Sequence, residues 1–180
     1  MSWEKEVEEL RRRQKLAEQM GGPEKLKRQK DAGRLNVRQR IAALVDRGSF
    51  REIGKLGGAA EYDEKGNLTA FLPANIVFGR ATIDKRPVVI QADDFSVRGG
   101  AADASLHGKL YQSEKLAGEY RMPLVRLVEG TGGGGSVKSL EKMGYTYVPE
   151  VPGWELMVEN LSQIPVVALG LGPVAGLGAG

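Results

Sequence analysis

The sequence predicts an α/β domain built on a parallel sheet and preceded by a helical arm. Three observations support this: a highly charged first quarter with helical periodicity, a later alternation of helix-like and strand-like segments, and glycine-rich turns directly after two apolar strands. Strands separated by helices of ten or more residues need crossover connections, so these strands are expected to run parallel.

The helical arm is expected to cover residues 1–48, with the second unit beginning at residue 49. Trp3, Val7 and Leu10 form a thin apolar stripe on the first helix, too narrow to be buried in a core of its own, so it should be exposed or packed on another chain. Gly21–Gly22 end this helix, and Pro23 suits the first turn of the next.

A third helix is predicted over Val37–Asp46, and its beginning is marked by a cap. Asn36 is a good N-cap residue, and Gln39 stands three positions later, where a capping box places its second side chain. Ile41, Leu44 and Val45 would form the buried face of this helix.

After Phe50 the apolar period changes to one typical of strands. The predicted elements are a hairpin of Asn75–Ile83 with Pro87–Gln91, a loop over Gly57–Gly66, helices at Asp103–Tyr120 and Gly153–Gln163, and buried strands at Pro123–Val128 and Ile164–Leu171. A buried strand near the end of the sequence predicts that the domain is incomplete at its C-terminal end.

Composition narrows the chemistry. The chain has no cysteine and a single histidine, His107, which excludes disulfides and thiolate catalysis and disfavours zinc sites and histidine triads. The first 51 residues carry 14 basic and 8 acidic side chains, so this part either meets a phosphate-bearing ligand or is a solvated helical arm. No signal peptide or membrane span is evident, which predicts a soluble, intracellular protein without nucleic-acid or membrane partners.

Two glycine-rich turns, Gly130–Gly135 and Gly172–Gly178, follow the two apolar strands. Backbone N–H groups at such strand ends can bind an anion or the oxyanion of a thioester. A flexible linker and a nucleotide-phosphate loop are the alternatives, although Gly135-Ser136-Val137-Lys138 lacks the ending of a Walker A loop. Spacing alone leaves all three open.

Side chains offer few candidates for acid–base catalysis. His107 falls on a predicted helix and is expected at a surface or interface, and Asp93–Asp94 are expected to be a solvated strand end or a cap rather than a base. The sequence therefore favours chemistry in which backbone donors stabilise an enolate and the base comes from elsewhere.

Four parts of the sequence together carry a family resemblance: Gly33–Ile41 with Leu44–Phe50, Val77–Ile83 with Arg86–Ile90, Asp93–Gly100, and Ile164–Gly176. They resemble the carboxyltransferase (beta) subunits of biotin-dependent acyl-CoA carboxylases of the propionyl-, acetyl- and methylcrotonyl-CoA type. The resemblance extends from about residue 30 to the end and matches only the N-terminal half of the family.

The resemblance implies a crotonase-like fold and the transfer of a carboxyl group from N-carboxybiotin to the α-carbon of an acyl-CoA. In the family the biotin side belongs to the C-terminal half, and the ureido nitrogen of biotin takes the α-proton. The implied partners are acyl-CoA, a biotin carboxylase or biotin carboxyl carrier subunit, and further copies in a hexamer. The implied cofactor is biotin on a partner, and no metal is expected in this chain.

Site residues follow from the resemblance. Gly132, Gly133, Gly134 and Gly176 would provide the backbone oxyanion donors, and Arg98, Gly99, Gly100, Gly135 and Gly172 would line the acyl-CoA pocket. The family turn Asp-Ser-Gly-Gly-Ala-Arg differs from Glu129-Gly-Thr-Gly-Gly-Gly-Gly-Ser136 here, which lacks the arginine. Two alignments of the individual glycines, one position apart, therefore stay open.

Other functions stay open at this point. The chain could belong to a biotin-dependent acyl-CoA decarboxylase, be a non-catalytic CoA-binding or assembly module, or be a nucleotide-binding α/β domain. The chain alone is expected to lack carboxyltransferase activity. Its expected location is the cytoplasm of a bacterium or the mitochondrial matrix of a eukaryote.

Overall fold

The computed structural model describes residues 2–101, 107–130, 137, 140–141, 144–146 and 153–176. Its helices are α1 (Glu4–Glu18), α2 (Pro23–Asp31), α3 (Val37–Leu44), α4 (His107–Tyr120) and α5 (Trp154–Gln163), with a 3₁₀ turn at Arg98–Gly100. Its strands are β1 (Arg51–Ile53), β2 (Gly58–Tyr62), β3 (Leu68–Pro73), β4 (Ile76–Ile83), β5 (Arg86–Asp93), β6 (Leu124–Gly130) and β7 (Val166–Val174).

Five strands form the main sheet in the order β1-β4-β5-β6-β7. β1 and β4 pair antiparallel, as do β4 and β5, whereas β5, β6 and β7 run parallel to one another. The predicted hairpin and the predicted parallel strands are therefore confirmed. β2 and β3 form a separate antiparallel pair.

The β4–β5 hairpin turns on two residues, Asp84 and Lys85, with φ of 50° and 66°. Positive φ at both positions is typical of the turn whose twist matches a hairpin, but it is strained for side chains other than glycine. The Asp46 carboxylate accepts hydrogen bonds from the backbone N–H of Asp84 at 3.1 Å and of Lys85 at 2.8 Å, and from the Thr82 hydroxyl. These bonds stabilise the turn and lower the pKa of Asp46, the Thr82 bond having the largest effect.

The two faces of the sheet are covered by different helices. On one face, Val37 and Ile41 of α3 pack in one cluster with Ile90 of β5 and Leu127 of β6. On the other, Ala117 of α4 packs with Leu124 and with β5's Val89. The alternation of side chains along β5 thus fills two cores, as expected for a strand buried on both faces.

A buried polar network joins α4, α5 and β6. Glu114 is fully buried and pairs with Arg126, and its Oε2 accepts a hydrogen bond of 2.8 Å from Nδ2 of Asn160. Gly118 lies one turn further along α4, where an added Cβ would approach Asn160 Oδ1 at 2.5 Å. The network sets how closely α4 and α5 approach.

Two predictions for the fold were wrong. The expected loop Gly57–Gly66 contains strand β2, which lies on the surface with four of its five residues exposed, so its sequence lacks the apolar alternation that marks a strand. The expected buried strand Ile164–Leu171 is found as β7, the edge strand of the described sheet. Its Val167, Leu169 and Leu171 are 38–49% exposed because no described helix covers these side chains fully.

The first-helix stripe is exposed, as expected for so narrow an apolar face. Trp3 is 71% exposed, and Val7 and Leu10 are 40% and 44% exposed. Towards its C-terminal end the same helix buries Ala17, and Met20 after it joins the core beside α3.

Candidate functional site

Three chain segments meet where β5, β6 and β7 end. A Cβ added to Gly100 would lie 2.5 Å from the Glu129 carbonyl oxygen, and one added to Gly130 would lie 2.6 Å from the Gly100 carbonyl oxygen. The backbone N–H of Ala175 donates to the carbonyl oxygen of Gly130 at 3.0 Å. These approaches require glycine at positions 100 and 130, and they place the three strand ends in direct contact.

Glu129 lies at the centre of this junction and is 1% exposed. Its Oε2 forms an ion pair with Nη1 of Arg40, which is 8% exposed, and its Oε1 lies 3.9 Å from Nη1 of Arg34. A Cβ added to Gly172 would overlap Glu129 Oε1, so the carboxylate packs directly on the backbone of β7.

Arg40 and Glu129 are not among the site residues predicted from the sequence. The available signal was a charged residue on the apolar face of α3 and another at the end of an apolar strand. Buried charges of this kind are normally paired, which is what the structure shows.

Asp93 and Asp94 lie at the end of β5 beside Glu129, where a solvated strand end or a cap was expected. Asp94 is a cap: it is 1% exposed, and its Oδ1 accepts a hydrogen bond of 2.6 Å from the backbone N–H of Ser96 in the following turn. Burial raises the pKa of Asp94. Burial also raises the pKa of Asp93 to about 6, although its Oδ2 accepts a 3.3 Å hydrogen bond from the Glu129 N–H.

A basic cavity of about 350 Å³ lies between α2 and the turn that follows β5. Its charged lining is Lys25, Arg28 and Arg34, and Ser96 and Gly99 complete the opposite wall. Gln29 also lines the cavity, and its buried Oε1 has no hydrogen-bond partner among the described residues. Three cations around one cavity favour a ligand with several negative charges.

A second cavity, of about 430 Å³, shares Arg34 with the first and lies against the sheet. Its lining is mostly apolar and includes Leu35, Leu127, Leu169 and Leu171, with Arg40 beside them. Together the two cavities offer a cationic site and an apolar site on either side of one arginine, beside the junction of the strand ends.

The predicted site residues fall into three groups. Gly100 and Gly172 lie at the junction, and Gly176, with φ of 57°, follows Ala175 there. Gly99 lines the basic cavity, whereas the side chain of Arg98 beside it is exposed. Gly132, Gly133, Gly134 and Gly135 lie outside the described residues.

Two searches were negative within the described part of the chain. The residues described there contain no group of three or more His, Cys, Asp or Glu side chains that could hold a metal ion. Among the described helices, none has the length and apolar character needed to cross a bilayer.

The mixed sheet, with helices on both faces and glycine-bearing strand ends, is of the crotonase-like fold class. The family model described as "Carboxyl transferase domain" matches residues 28–179, and the chain belongs to this family.

Among its relatives, a Bacillus subtilis protein assigned as a propionyl-CoA carboxylase beta chain is 32% identical over 166 residues, which are 91% of this chain and 31% of that protein. The mitochondrial propionyl-CoA carboxylase beta chain of Sus scrofa is 28% identical, over 87% of this chain and 28% of its own length.

Among solved structures, transcarboxylase 12S with methylmalonyl-coenzyme A and methylmalonic acid bound matches with a TM-score of 0.77 and 25% identity. The match covers 99% of this chain and 34% of that one. The chain thus spans about a third of the length of these relatives.

Proposed function

We propose that these residues form the acyl-CoA side of the carboxyltransferase of a biotin-dependent acyl-CoA carboxylase. The observation that carries the proposal is the junction of three glycine-bearing strand ends beside a basic cavity, in a chain of the carboxyltransferase family. The reaction would move a carboxyl group to the α-carbon of an acyl-CoA through an enolate.

The basic cavity would hold the phosphates of CoA. CoA carries a diphosphate and a 3′-phosphate, and Lys25, Arg28 and Arg34 present three cations around a cavity of about 350 Å³. Charge-assisted hydrogen bonds from guanidinium groups to phosphate are among the stronger polar interactions of proteins. Gly99 and Ser96 line the same cavity, which supports the assignment of the Arg98–Gly100 turn to CoA binding.

The glycine turns would hold the thioester carbonyl. Backbone N–H groups of Gly132 to Gly134 and of Gly176 would donate to the oxygen that becomes negative in the enolate, and Gly135 would leave room for the ligand. Gly172 would not, because the Glu129 carboxylate lies against it. Such donors act most strongly where charge develops, so they would stabilise the enolate more than the bound ester.

The proton acceptor and the carboxyl donor would come from outside this chain. Carboxybiotin, carried by a partner subunit or domain, supplies the carboxyl group when it is bound. The proposed partners are therefore that biotin-carrying subunit or domain and further copies of the carboxyltransferase, since transcarboxylase 12S is described as a hexamer.

The experiment is isothermal titration calorimetry of the full chain with CoA, dephospho-CoA and pantetheine. We expect CoA to bind most tightly, because dephospho-CoA lacks the 3′-phosphate and pantetheine lacks all phosphates. Arg28→Ala should weaken CoA binding about tenfold, or about 1.4 kcal/mol, and leave pantetheine binding unchanged.

Lys27→Ala is the matched control for Arg28→Ala. Lys27 lies on the same helix and is not part of the cavity lining; its Nζ lies 3.6 Å from Oδ2 of Asp31. Its replacement should change CoA affinity less than twofold. A wild-type chain that binds no CoA, or an Arg28→Ala chain with unchanged affinity, would contradict the assignment.

A further inference from the structure

Glu129 contacts every segment of the junction. Its carboxylate pairs with Arg40 of α3, its N–H donates to Asp93 at the end of β5, its carbonyl oxygen lies against Gly100, and its Oε1 packs on Gly172 of β7. It also directly precedes Gly130, where the first glycine turn begins.

We infer that Glu129, oriented by Arg40, is a positioning residue that sets the distance between Gly130, at the end of β6, and residues 172–176 at the end of β7. The inference rests on the proposed function, since it assigns to Glu129 the geometry of the donors that would hold the thioester carbonyl.

The helix that carries Arg40 is fixed at its N-terminus and in the core, so Arg40 can orient a carboxylate. Helix α3 begins at the capping box of Asn36 and Gln39, whose two hydrogen bonds are both 3.0 Å long. Arg40 follows in the next position, and Val37 and Ile41 on either side of it are buried in the core. A guanidinium fixed at its base directs a carboxylate more sharply than an apolar contact could.

Because Arg40 and Glu129 are both buried, a contribution to stability does not by itself account for their ion pair. Taking a carboxylate and a guanidinium out of water opposes folding, and such pairs can often be replaced by apolar side chains without loss of stability. The ion pair does fix the position and direction of the Glu129 carboxylate within the junction. An apolar pair could match its contribution to stability but would not fix a direction in the same way.

The Glu129 carboxylate fixes the position of β7 through its contact with Gly172. The Cβ of any other residue at 172 would occupy the space of Glu129 Oε1. Among the described residues, Oε1 has no hydrogen-bond partner, and Nη1 of Arg34 lies 3.9 Å from it. The end of β7, with Ala175 bonded to Gly130 and Gly176 after it, is thus located by contact with the carboxylate.

The strand provides its own control. A Cβ added to Gly170, two residues earlier on β7, would meet no described atom within 4 Å. Gly170→Ala and Gly172→Ala therefore introduce the same methyl group into one strand, with contact to Glu129 only in the second. Glu129→Asp shortens the acid and withdraws its carboxylate from position 172.

The experiment records the ¹³C chemical shift of the thioester carbonyl of [1-¹³C]propionyl-CoA bound to the full chain, together with its dissociation constant. Hydrogen bonds from the two turns should move the bound carbonyl downfield of the free ligand in the wild type and in Gly170→Ala. Gly172→Ala should lose at least half of this displacement, while the affinity for CoA stays within about twofold.

The double variant Gly172→Ala with Glu129→Asp should recover displacement relative to Gly172→Ala. A Gly172→Ala chain with the full displacement, or a double variant without recovery, would overturn the inference. If Gly172→Ala does not fold, Glu129→Gln and Glu129→Asp provide the test. The inference requires that at least one of them reduces the displacement at near-constant CoA affinity. Full displacement in both variants would overturn the inference.

Failure of the proposed function would look different from failure of the inference. In that case the wild-type chain itself would bind no propionyl-CoA, or would bind it without any displacement of the carbonyl resonance. A displaced wild-type resonance that none of the Glu129 and Gly172 variants alters would leave the proposed function standing and remove only the role of Glu129.

Discussion

The carboxyl group of Asp93 is held where its negative charge is unfavourable. Its side chain is half-buried at the end of β5, and burial raises its pKa to about 6, against the partly compensating Glu129 N–H and the charge of Arg126. The folded protein therefore binds this proton more tightly than the unfolded chain does. The Asp93 contribution to the free energy of unfolding should fall as pH rises from about 4 to about 6 and stay low above that range.

Asp93→Asn should consequently stabilise the protein at neutral pH. We expect the free energy of unfolding to rise by about 2 kcal/mol at pH 7, less than the full linkage value because the side chain keeps some contact with water. At about pH 3 the gain should nearly vanish, since Asp93 is then largely protonated in both the folded protein and the unfolded chain. Urea unfolding at about pH 3 and at pH 7 measures both.

Asp63→Asn is the contrasting variant. The pKa of Asp63 is lowered, chiefly by the hydrogen bond from the Asn67 side chain, so loss of its charge should not stabilise the chain at pH 7. Equal stabilisation by both substitutions would point to a general effect of net charge and contradict the local explanation for Asp93.

Residues that act within one helical turn could be predicted from the sequence, whereas residues paired across the fold could not. Asn36 and Gln39 are three positions apart, and the expected capping box is confirmed. Arg40 and Glu129 are 89 positions apart, and no local pattern links them. The burial of Asp94 was missed for the same reason, because an acid at a strand end is exposed or buried according to what the rest of the chain places over it.

At the scale of the helix, α3 connects the arm to the junction, and its cap should matter for stability. Asn36→Ala removes the acceptor for the Gln39 N–H and should lower the free energy of unfolding by about 1 kcal/mol. Lys27→Ala, on the neighbouring helix α2, removes only an exposed ion pair and should change it by less than about 0.5 kcal/mol. Chemical denaturation of both variants tests this, and equal losses would contradict a specific role for the cap.

The strands show which elements a sequence pattern can predict. The β4–β5 hairpin and parallel strands β6 and β7 have continuous apolar runs, and their predicted positions agree with the structure to within a few residues. β1 and β2 are short and mostly exposed, so no apolar alternation marked them. The exposure of β7 could not be inferred from its composition, because an apolar strand at an edge and one at the centre of a sheet have the same sequence pattern.

Across the whole molecule, large apolar side chains contact solvent on two described elements. Trp154, Val158 and Leu161 recur at helical spacing on α5 with exposures of 45–67%, and β7 adds Leu169 at 38%. Leu169 also lines the apolar cavity, which shares Arg34 with the basic cavity between α2 and the turn after β5. The exposed apolar face of α5 lines neither of these two cavities, so it is not among the residues that we assign to CoA.

For the chain as a whole, we predict that residues 1–180 bind acyl-CoA without catalysing biotin-dependent carboxyl transfer. The proposed role of these residues is to hold CoA and the thioester carbonyl, and the family resemblance assigns biotin to the other half of the carboxyltransferase. An acyl-CoA that is bound without biotin has no partner that could give it a carboxyl group or take one from it. Methylmalonyl-CoA incubated with the chain and free biotin should therefore release no propionyl-CoA above the rate without protein.

Chromatography of the acyl-CoA products measures that rate, with calorimetric binding of methylmalonyl-CoA to the same preparation as the control for a folded chain. A complete carboxyltransferase assayed in parallel shows that the conditions support turnover. Biotin-dependent release of propionyl-CoA by residues 1–180 would contradict the prediction, because the biotin carbonyl would then have to be held by residues that we assign to acyl-CoA. Binding without release is the expected result, and it would separate the affinity of this site for its ester from the chemistry that the ester undergoes.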